Sequence, residues 1–307
     1  MIIFDGNEFA AIKEQQIKSK LQNPKFKNQR LKIAAILFRE DAGSRLYSGL
    51  KKEAAERVGI TYELYEFSLN SSVTSITQLL DQLNKDKSVT GIIIQKPAKS
   101  TYSSSLILNS QPFSDWWQTL TSAISPAKDV DGLHPETLAA IKRGTWQTEG
   151  KVMPATAKAI LEILKNFENS NYQNPNSKQI SNFKVQSSKF LILNRSAILG
   201  QPLYYELKNR GVDVTLWGSK DLQASFLNSQ SLILNFDVII TATGKKHLIT
   251  GDMVKDGVIL IDAGEPSPDV DFESVKDKAS FLTPVPGGVG PVTVISLLEN
   301  CVKLARS

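Results

Sequence analysis

The chain has 307 residues, 41% hydrophobic and 22% charged, with a formal net charge of +5; the length predicts about two domains with real cores, and the composition excludes disorder. One cysteine, Cys301, excludes a disulfide framework, a cysteine zinc site and a CxxC redox motif, and two histidines, His134 and His247, leave no His-rich metal site. No Lys/Arg run is dense enough for nucleic acid, no signal peptide opens the chain and no apolar run approaches a membrane span, so we expect a cytoplasmic protein whose positive charge either attracts small anions or is a basic surface with no ligand meaning.

In chain order, residues 8–22 have helical spacing and LKIAAILF (31–38) is an apolar run of strand length. SRLYSGLKKEAAERVG is a helix stopped at Gly59, TYELYEF a strand, residues 74–85 a polar helix, and VTGIIIQKP a buried strand closed by proline. Strands alternating with helices predict a parallel sheet covered on both faces. Residues 98–123 break the rhythm and read as an extended loop with a helical end, Trp116 and Trp117 forming local core. KDVDGLHPETLAAIKRG leads into a helix, MPATAKAILEILKNF into a long amphipathic one, and residues 168–188 into a surface excursion.

From residue 189 the strands KFLILN, VDVTLW, DVIITATG, GVILIDAG and SFLTPVPGG, with the helix AILGQPLYYELKNRG after the first, form a second doubly wound unit suited to a dinucleotide. The expected fold is therefore α/β with two domains. Residues 1–150 form the first, the closing helix 292–307 packs back on it, and residues 151–291 form a Rossmann-like nucleotide domain.

The turn NRSAILGQP lacks the usual GxGxxG and offers Asn194-x-Ser196-x-x-x-Gly200 instead. A tight turn, a small residue and a helix N-terminus still meet the needs of a pyrophosphate. Ser219 and Lys220 at the tip of the next strand, with Arg195 in the first turn, favour a 2′-phosphate, hence NADP over NAD; the alternative is an ordinary surface turn with solvated cations. Tyr47 and Lys51 share a helix face at i, i+4. By itself such a lysine is a solvated charge, and the likeness to the Tyr-x-x-x-Lys pair of short-chain dehydrogenases misleads, because there the pair follows the nucleotide fold. Gln95 ends a buried strand, where an amide orients a substrate or a base, or merely caps the strand. In KDVDG, Asp129 and Asp131 stand without the His or third acid a metal needs; one carboxylate there either caps a turn or reads a cyclic amidine. Finally, TPVPGGVGPVT (283–293) holds three prolines, three glycines and no charge just before the last helix.

Taken in order, YSGLK, GIIIQKP, KDVDGLHP, PATAKAI, NRSAILGQP, DVIITATGK, GVILIDAG and TPVPGGVGPVT resemble the bifunctional methylenetetrahydrofolate dehydrogenase/cyclohydrolase family over nearly the whole chain. The resemblance implies NADP-dependent oxidation of 5,10-methylenetetrahydrofolate to the 5,10-methenyl cation and its hydrolysis to 10-formyltetrahydrofolate, a step of one-carbon metabolism and purine biosynthesis, with no metal. It implies Lys51 as the catalytic lysine, Tyr47 packing on the folate ring, Gln95 positioning Lys51, and Asp131 holding the pterin. Pro286, Gly287 and Gly288 of an uncharged loop would border the folate. The cofactor would meet Asn194, Arg195, Ser196, Gly200, Ser219, Thr243, Gly244, Asp262, Gly290 and Thr293. A homodimer through the nucleotide domain is implied as well.

Two rivals keep the fold: a dehydrogenase without the hydrolytic step, against which Lys51 and Gln95 speak, and a drifted folate- or nucleotide-binding protein. The second draws on departures from the family pattern. Asn194 stands for Gly, where asparagine's tolerance of left-handed backbone is expected to preserve the turn. Gly218 stands for His, QKP for QLP places Lys96 beside the site, the segment between Gln95 and Asp131 is longer, and the loop after Asp262–Gly264 is shorter.

Overall fold

The computed structural model describes residues 1–24, 26, 29–104, 112–173, 184–218, 221 and 230–306. In chain order these form β1 (Ile2–Ile3), α1 (Gly6–Leu21), β2 (Lys32–Phe38), α2 (Ala42–Val58), β3 (Thr61–Phe67), α3 (Val73–Lys85), β4 (Gly91–Ile94), α4 (Lys99–Ser104), α5 (Phe113–Ser122), α6 (Pro135–Arg143) and α7 (Ala155–Gln173). Then follow β5 (Lys189–Leu193), α8 (Gly200–Asn209), β6 (Asp213–Trp217), β7 (Val238–Thr241), β8 (Ile259–Asp262), α9 (Phe272–Val275), β9 (Phe281–Thr283) and α10 (Val289–Leu304). Two compact units result: residues 12–140, 145–155 and 294–307, and residues 1–11, 141–144 and 156–293. Among the described residues no helix is long and apolar enough to cross a membrane.

The first of these units holds a parallel sheet in the order β3-β2-β4. β4 is buried along its whole length and β2 from Ile33 onward, as expected of parallel strands covered on both faces. α2 is framed by local chemistry. The Asp41 side chain accepts the Ser44 N–H at its start, and Gly59 closes its end at φ 83°. The segment after β4 is more ordered than its serine content suggests, with helices α4 and α5 on either side of 105–111, which lie outside the described residues. The cause is apolar burial. Trp116 is fully buried, its ring 5.1 Å from Phe38 and 4.9 Å from Tyr102, so the segment supplies core to the sheet.

KDVDG reaches this sheet without forming a strand. Ile92 N–H donates to Lys128 O at 2.7 Å and Ile92 bridges Asp129 in parallel, laying residues 129–131 beside β4. Gly91 makes room, since a Cβ there would stand 2.0 Å from Val130 Cγ1. Within the same unit, Asn300 of α10 donates to Val130 O at 3.0 Å and Met153 O at 2.9 Å, fastening the closing helix over this segment.

The other unit holds a six-stranded parallel sheet in the order β1-β9-β8-β7-β5-β6. Its edge is β1, a strand of only two residues, with Ile2 opposite Phe281 and Ile3 opposite Leu282. The turn after β9 then receives the start of α1. Gly6 N–H donates to Gly287 O at 2.9 Å, and a Cβ on Gly6 would lie 1.9 Å from Gly288 O. The sequence VGPVT, expected in the loop, is helical: α10 starts at Val289, and Pro291 sits in a first turn whose N–H groups need no intrahelical acceptor.

Candidate functional site

α2 carries Tyr47 and Lys51 one turn apart, and β4 delivers Gln95 at its C-terminal end, 5% exposed. Lys51 Nζ donates to Gln95 Oε1 at 3.0 Å. The other end of the amide, Nε2, donates to the Tyr62 hydroxyl of β3 at 3.3 Å. Tyr62 in turn lies 3.4 Å from Ser48 Oγ on α2. Burial, with the charge of Asp131 adding to it, pushes the Tyr62 hydroxyl up to about 12, so it keeps its proton throughout the physiological range. Tyr62 and Ser48 were not anticipated. Alternation gave no signal for Tyr62: it is the one buried position of β3, while Leu64 and Glu66 of the same parity are exposed. Lys96 does not join this group; its ammonium lies 5.6 Å from the Phe113 ring centroid and 5.5 Å from that of Trp117.

The two acids of KDVDG divide their tasks. Asp129, 1% exposed, accepts from the backbone N–H of Leu133 at 3.1 Å and His134 at 2.7 Å, and from Thr137 Oγ1 at 3.4 Å, and so fixes the turn that enters α6, where His134 Nδ1 accepts the Glu136 N–H at 3.1 Å. Asp131 is partly buried and faces Lys51. Burial pushes its carboxyl up to about 6, Lys51 pulls it back and Asp129 pushes it further. Gly132 must be glycine: φ is 69°, and a Cβ would meet Pro154 N at 2.7 Å. The result is a cation held by an amide oxygen beside a carboxyl raised to about 6, a set able to move a proton and to bind a ring amidine.

In the other unit, Asn194, Arg195, Ser196 and Gly200 form the turn between β5 and α8. Asn194 does not adopt left-handed backbone. It replaces glycine by a different device: Nδ2 donates to Ala242 O at 2.6 Å while Oδ1 accepts the Ser196 N–H at 2.8 Å, tying the turn to the end of β7. Ser196 Oγ accepts the Leu199 N–H at 3.3 Å, and Gly200 is enforced, because a Cβ would stand 1.5 Å from Asn194 O. Arg195 pairs with Asp221 at 2.9 Å, and Asp221 also accepts the Gly218 N–H at 2.7 Å. A Cβ on Gly218 would lie 3.0 Å from Arg195 Cδ, so the missing side chain there leaves room for the arginine stem. Ser219 and Lys220 lie outside the described residues. A glycine-tight turn running into a helix N-terminus, with an exposed guanidinium at the tip of the next strand, fits a phosphorylated dinucleotide.

Asp262 is spent on its own loop. Only 1% exposed, it accepts the N–H of Gly264 at 2.8 Å and of Val270 at 2.9 Å; burial, with Asp269 adding to it, pushes its carboxyl up to about 6. Asp269, fully buried and missed in the sequence, accepts Thr241 Oγ1 at 2.5 Å, Thr243 N–H at 2.6 Å and Lys245 N–H at 2.9 Å. Between these, Gly244 turns at φ 68°, against Glu265 O. After β9, Gly287 has φ 96° and a Cβ on Gly288 would meet Pro284 O at 2.4 Å, so both glycines serve the turn that follows Pro286. Gly290 faces open space and Thr293 Oγ1 donates to Val289 O at 3.1 Å inside α10.

Two family models match the chain: tetrahydrofolate dehydrogenase/cyclohydrolase, catalytic domain, over residues 4–131, and the NAD(P)-binding domain of the same name over residues 154–307. The bifunctional protein FolD of Lactobacillus helveticus is 32% identical, over 99% of this chain and 97% of that protein. The crystal structure of the bifunctional enzyme FolD, methylenetetrahydrofolate dehydrogenase/cyclohydrolase, from Campylobacter jejuni is 31% identical with a TM-score of 0.81, covering 100% of this chain and 99% of that one. A Trypanosoma brucei FolD structure, complexed with NADP cofactor and inhibitor, has a TM-score of 0.82 at 24% identity over 99% and 97% of the two chains, and shows the fold alone.

Proposed function

The chain belongs to the tetrahydrofolate dehydrogenase/cyclohydrolase family, and we propose that it oxidises 5,10-methylenetetrahydrofolate with NADP and hydrolyses the 5,10-methenyl cation to 10-formyltetrahydrofolate. The observation that carries the hydrolytic half is the 3.0 Å bond from Lys51 to Gln95 beside Asp131. Lys51, when neutral, takes the proton from the water that attacks the methenyl carbon, Gln95 holds the ammonium so formed in place, Asp131 binds the pterin, and Tyr47 packs on the folate. Oxidation removes a hydride from the folate methylene carbon and leaves a cation, which the neutral amide of Gln95 does not neutralise before water attacks.

The turn Asn194–Gly200 holds the cofactor diphosphate, and Arg195, with Ser219 expected beside it, selects the 2′-phosphate. Bound NADP supplies the hydride acceptor. Thr243, Gly244, Gly290 and Thr293 border the nicotinamide end, and Pro286, Gly287 and Gly288 the folate. Asp262 contributes by shaping its loop, since both carboxylate oxygens already hold amides. The family likeness supports a homodimer, which light scattering of the purified protein checks.

The test is a spectrophotometric assay with 5,10-methylenetetrahydrofolate and either NADP or NAD, beside a Lys51→Ala variant. We expect NADP reduction by the wild type, and a variant that accumulates the methenyl compound or loses both steps. A folded protein that turns over with neither cofactor overturns the reading.

A further inference from the structure

We propose that Tyr62 is a positioning residue for Lys51: its hydroxyl, tied to Ser48, holds the Gln95 amide with the oxygen toward the lysine. The inference rests on the reading of Lys51 as the proton-moving group of the hydrolysis. A carboxamide has a donor end and an acceptor end of nearly equal shape, and only the oxygen can accept from an ammonium. At Gln95, 5% exposed, water does not decide which end faces Lys51. The partner of the opposite end decides. Nε2 finds the Tyr62 oxygen at 3.3 Å, and that oxygen, once it accepts, has its own proton to give to Ser48 Oγ at 3.4 Å.

Every alternative arrangement is worse. With the amide reversed, Nε2 would face the Lys51 ammonium, donor against donor, across the present 3.0 Å. The tyrosine does not surrender its proton, since burial and Asp131 both favour its neutral form. Ser48 and Lys51 sit on the same helix, so the chain of bonds runs from α2 to β3 to β4 and returns to α2. Such a closed set fixes each member's orientation more firmly than any one bond. Tyr62 touches no reacting atom in this scheme; it acts through Gln95.

The test compares hydrolysis of 5,10-methenyltetrahydrofolate by the wild type, Tyr62→Phe, Ser48→Ala, Gln95→Ala and the Tyr62→Phe/Gln95→Ala double variant, with thermal unfolding of each. We expect Tyr62→Phe to lower kcat about tenfold while KM moves less than about twofold, and Ser48→Ala to do the same more weakly. In the Gln95→Ala background Tyr62→Phe has no further effect, because the group it acts through is gone. An unchanged kcat, or the same fold-loss with and without Gln95, overturns the proposal. If Tyr62→Phe does not fold, Ser48→Ala alone and in the Gln95→Ala background carries the same comparison with the same two readings. A wild type that does not hydrolyse the substrate defeats the proposed function and this inference together, whereas an active wild type with a fully active Tyr62→Phe defeats this inference alone.

Discussion

Asp129 pairs with β4 and Asp131 lies two residues on in one unit; Asp262 and Asp269 close and follow β8 in the other. In the second pair both carboxylates are consumed by their own loops: Asp262 by two backbone N–H groups, Asp269 by two more and a threonine hydroxyl. In the first pair only Asp129 is used this way. Among the described residues no hydrogen-bond donor reaches Asp131, although burial pushes it up to about 6. The elevated carboxyl alone does not mark a ligand site, since Asp262 is also pushed up to about 6. What separates them is the partner list. Even a partly buried carboxylate without donors costs stability until something binds it, and Asp131 is the acid to which no described residue offers an amide.

The comparison breaks most visibly at Asp269. Asp269→Ala leaves Thr241 Oγ1 and the N–H groups of Thr243 and Lys245 without their acceptor in a fully buried place. We expect a loss of about 3–5 kcal/mol in urea unfolding, and NADP affinity at least about tenfold weaker by fluorescence titration as the Thr243–Lys245 turn loosens. Asp131 is predicted to behave in the opposite sense. Its folded carboxyl titrates at about 6 against an ordinary 3.8, so the stability associated with its proton is complete below pH 4 and is lost as pH rises through 6. Asp131→Asn therefore raises stability by roughly 1–2 kcal/mol at pH 7.5, the shift being discounted for the partial exposure of the carboxyl, and the gain vanishes below pH 4. Folate binding by the same variant weakens by about tenfold or more. An Asp131→Asn protein destabilised at pH 7.5 sinks the idea that this acid is held for a ligand.

Much of this was legible in the sequence, for local reasons. Buried parallel strands announce themselves as apolar runs, and β2, β4, β5, β7 and β8 lie within the runs that predicted them. Tyr47 and Lys51 on one helix face follow from spacing alone. The rest depends on partners far apart in the chain. β1 is two residues long and is a strand only because β9 accepts it. The serine-rich residues 98–123 look like a loop until Trp116 has Phe38 and Tyr102 to bury against. Tyr62 gains its meaning from Gln95, 33 residues later, and Asp269 from Thr241, 28 residues earlier. Asn194 was expected to stand in for glycine through backbone freedom, yet does so through its side-chain amide.

Gly218 gives the smallest predicted effect and the sharpest reading of the nucleotide turn. Its backbone lies outside the left-handed region, so alanine is conformationally acceptable there. Its new Cβ, however, would stand 3.0 Å from Arg195 Cδ, closer than van der Waals contact allows, while the half-exposed guanidinium has room to swing aside. Gly218→Ala is therefore expected to leave stability within about 0.5 kcal/mol of the wild type. The arginine stem shifts off its resting place and strains the 2.9 Å pair with Asp221. If Arg195 reads the 2′-phosphate, NADP binding weakens by about threefold and NAD binding stays constant, since one displaced charge-assisted contact is a fraction of its full worth. Calorimetric titration of both dinucleotides distinguishes the cases. Equal losses for NADP and NAD place the effect on the turn as a whole, and an unchanged NADP affinity removes Arg195 from cofactor selection.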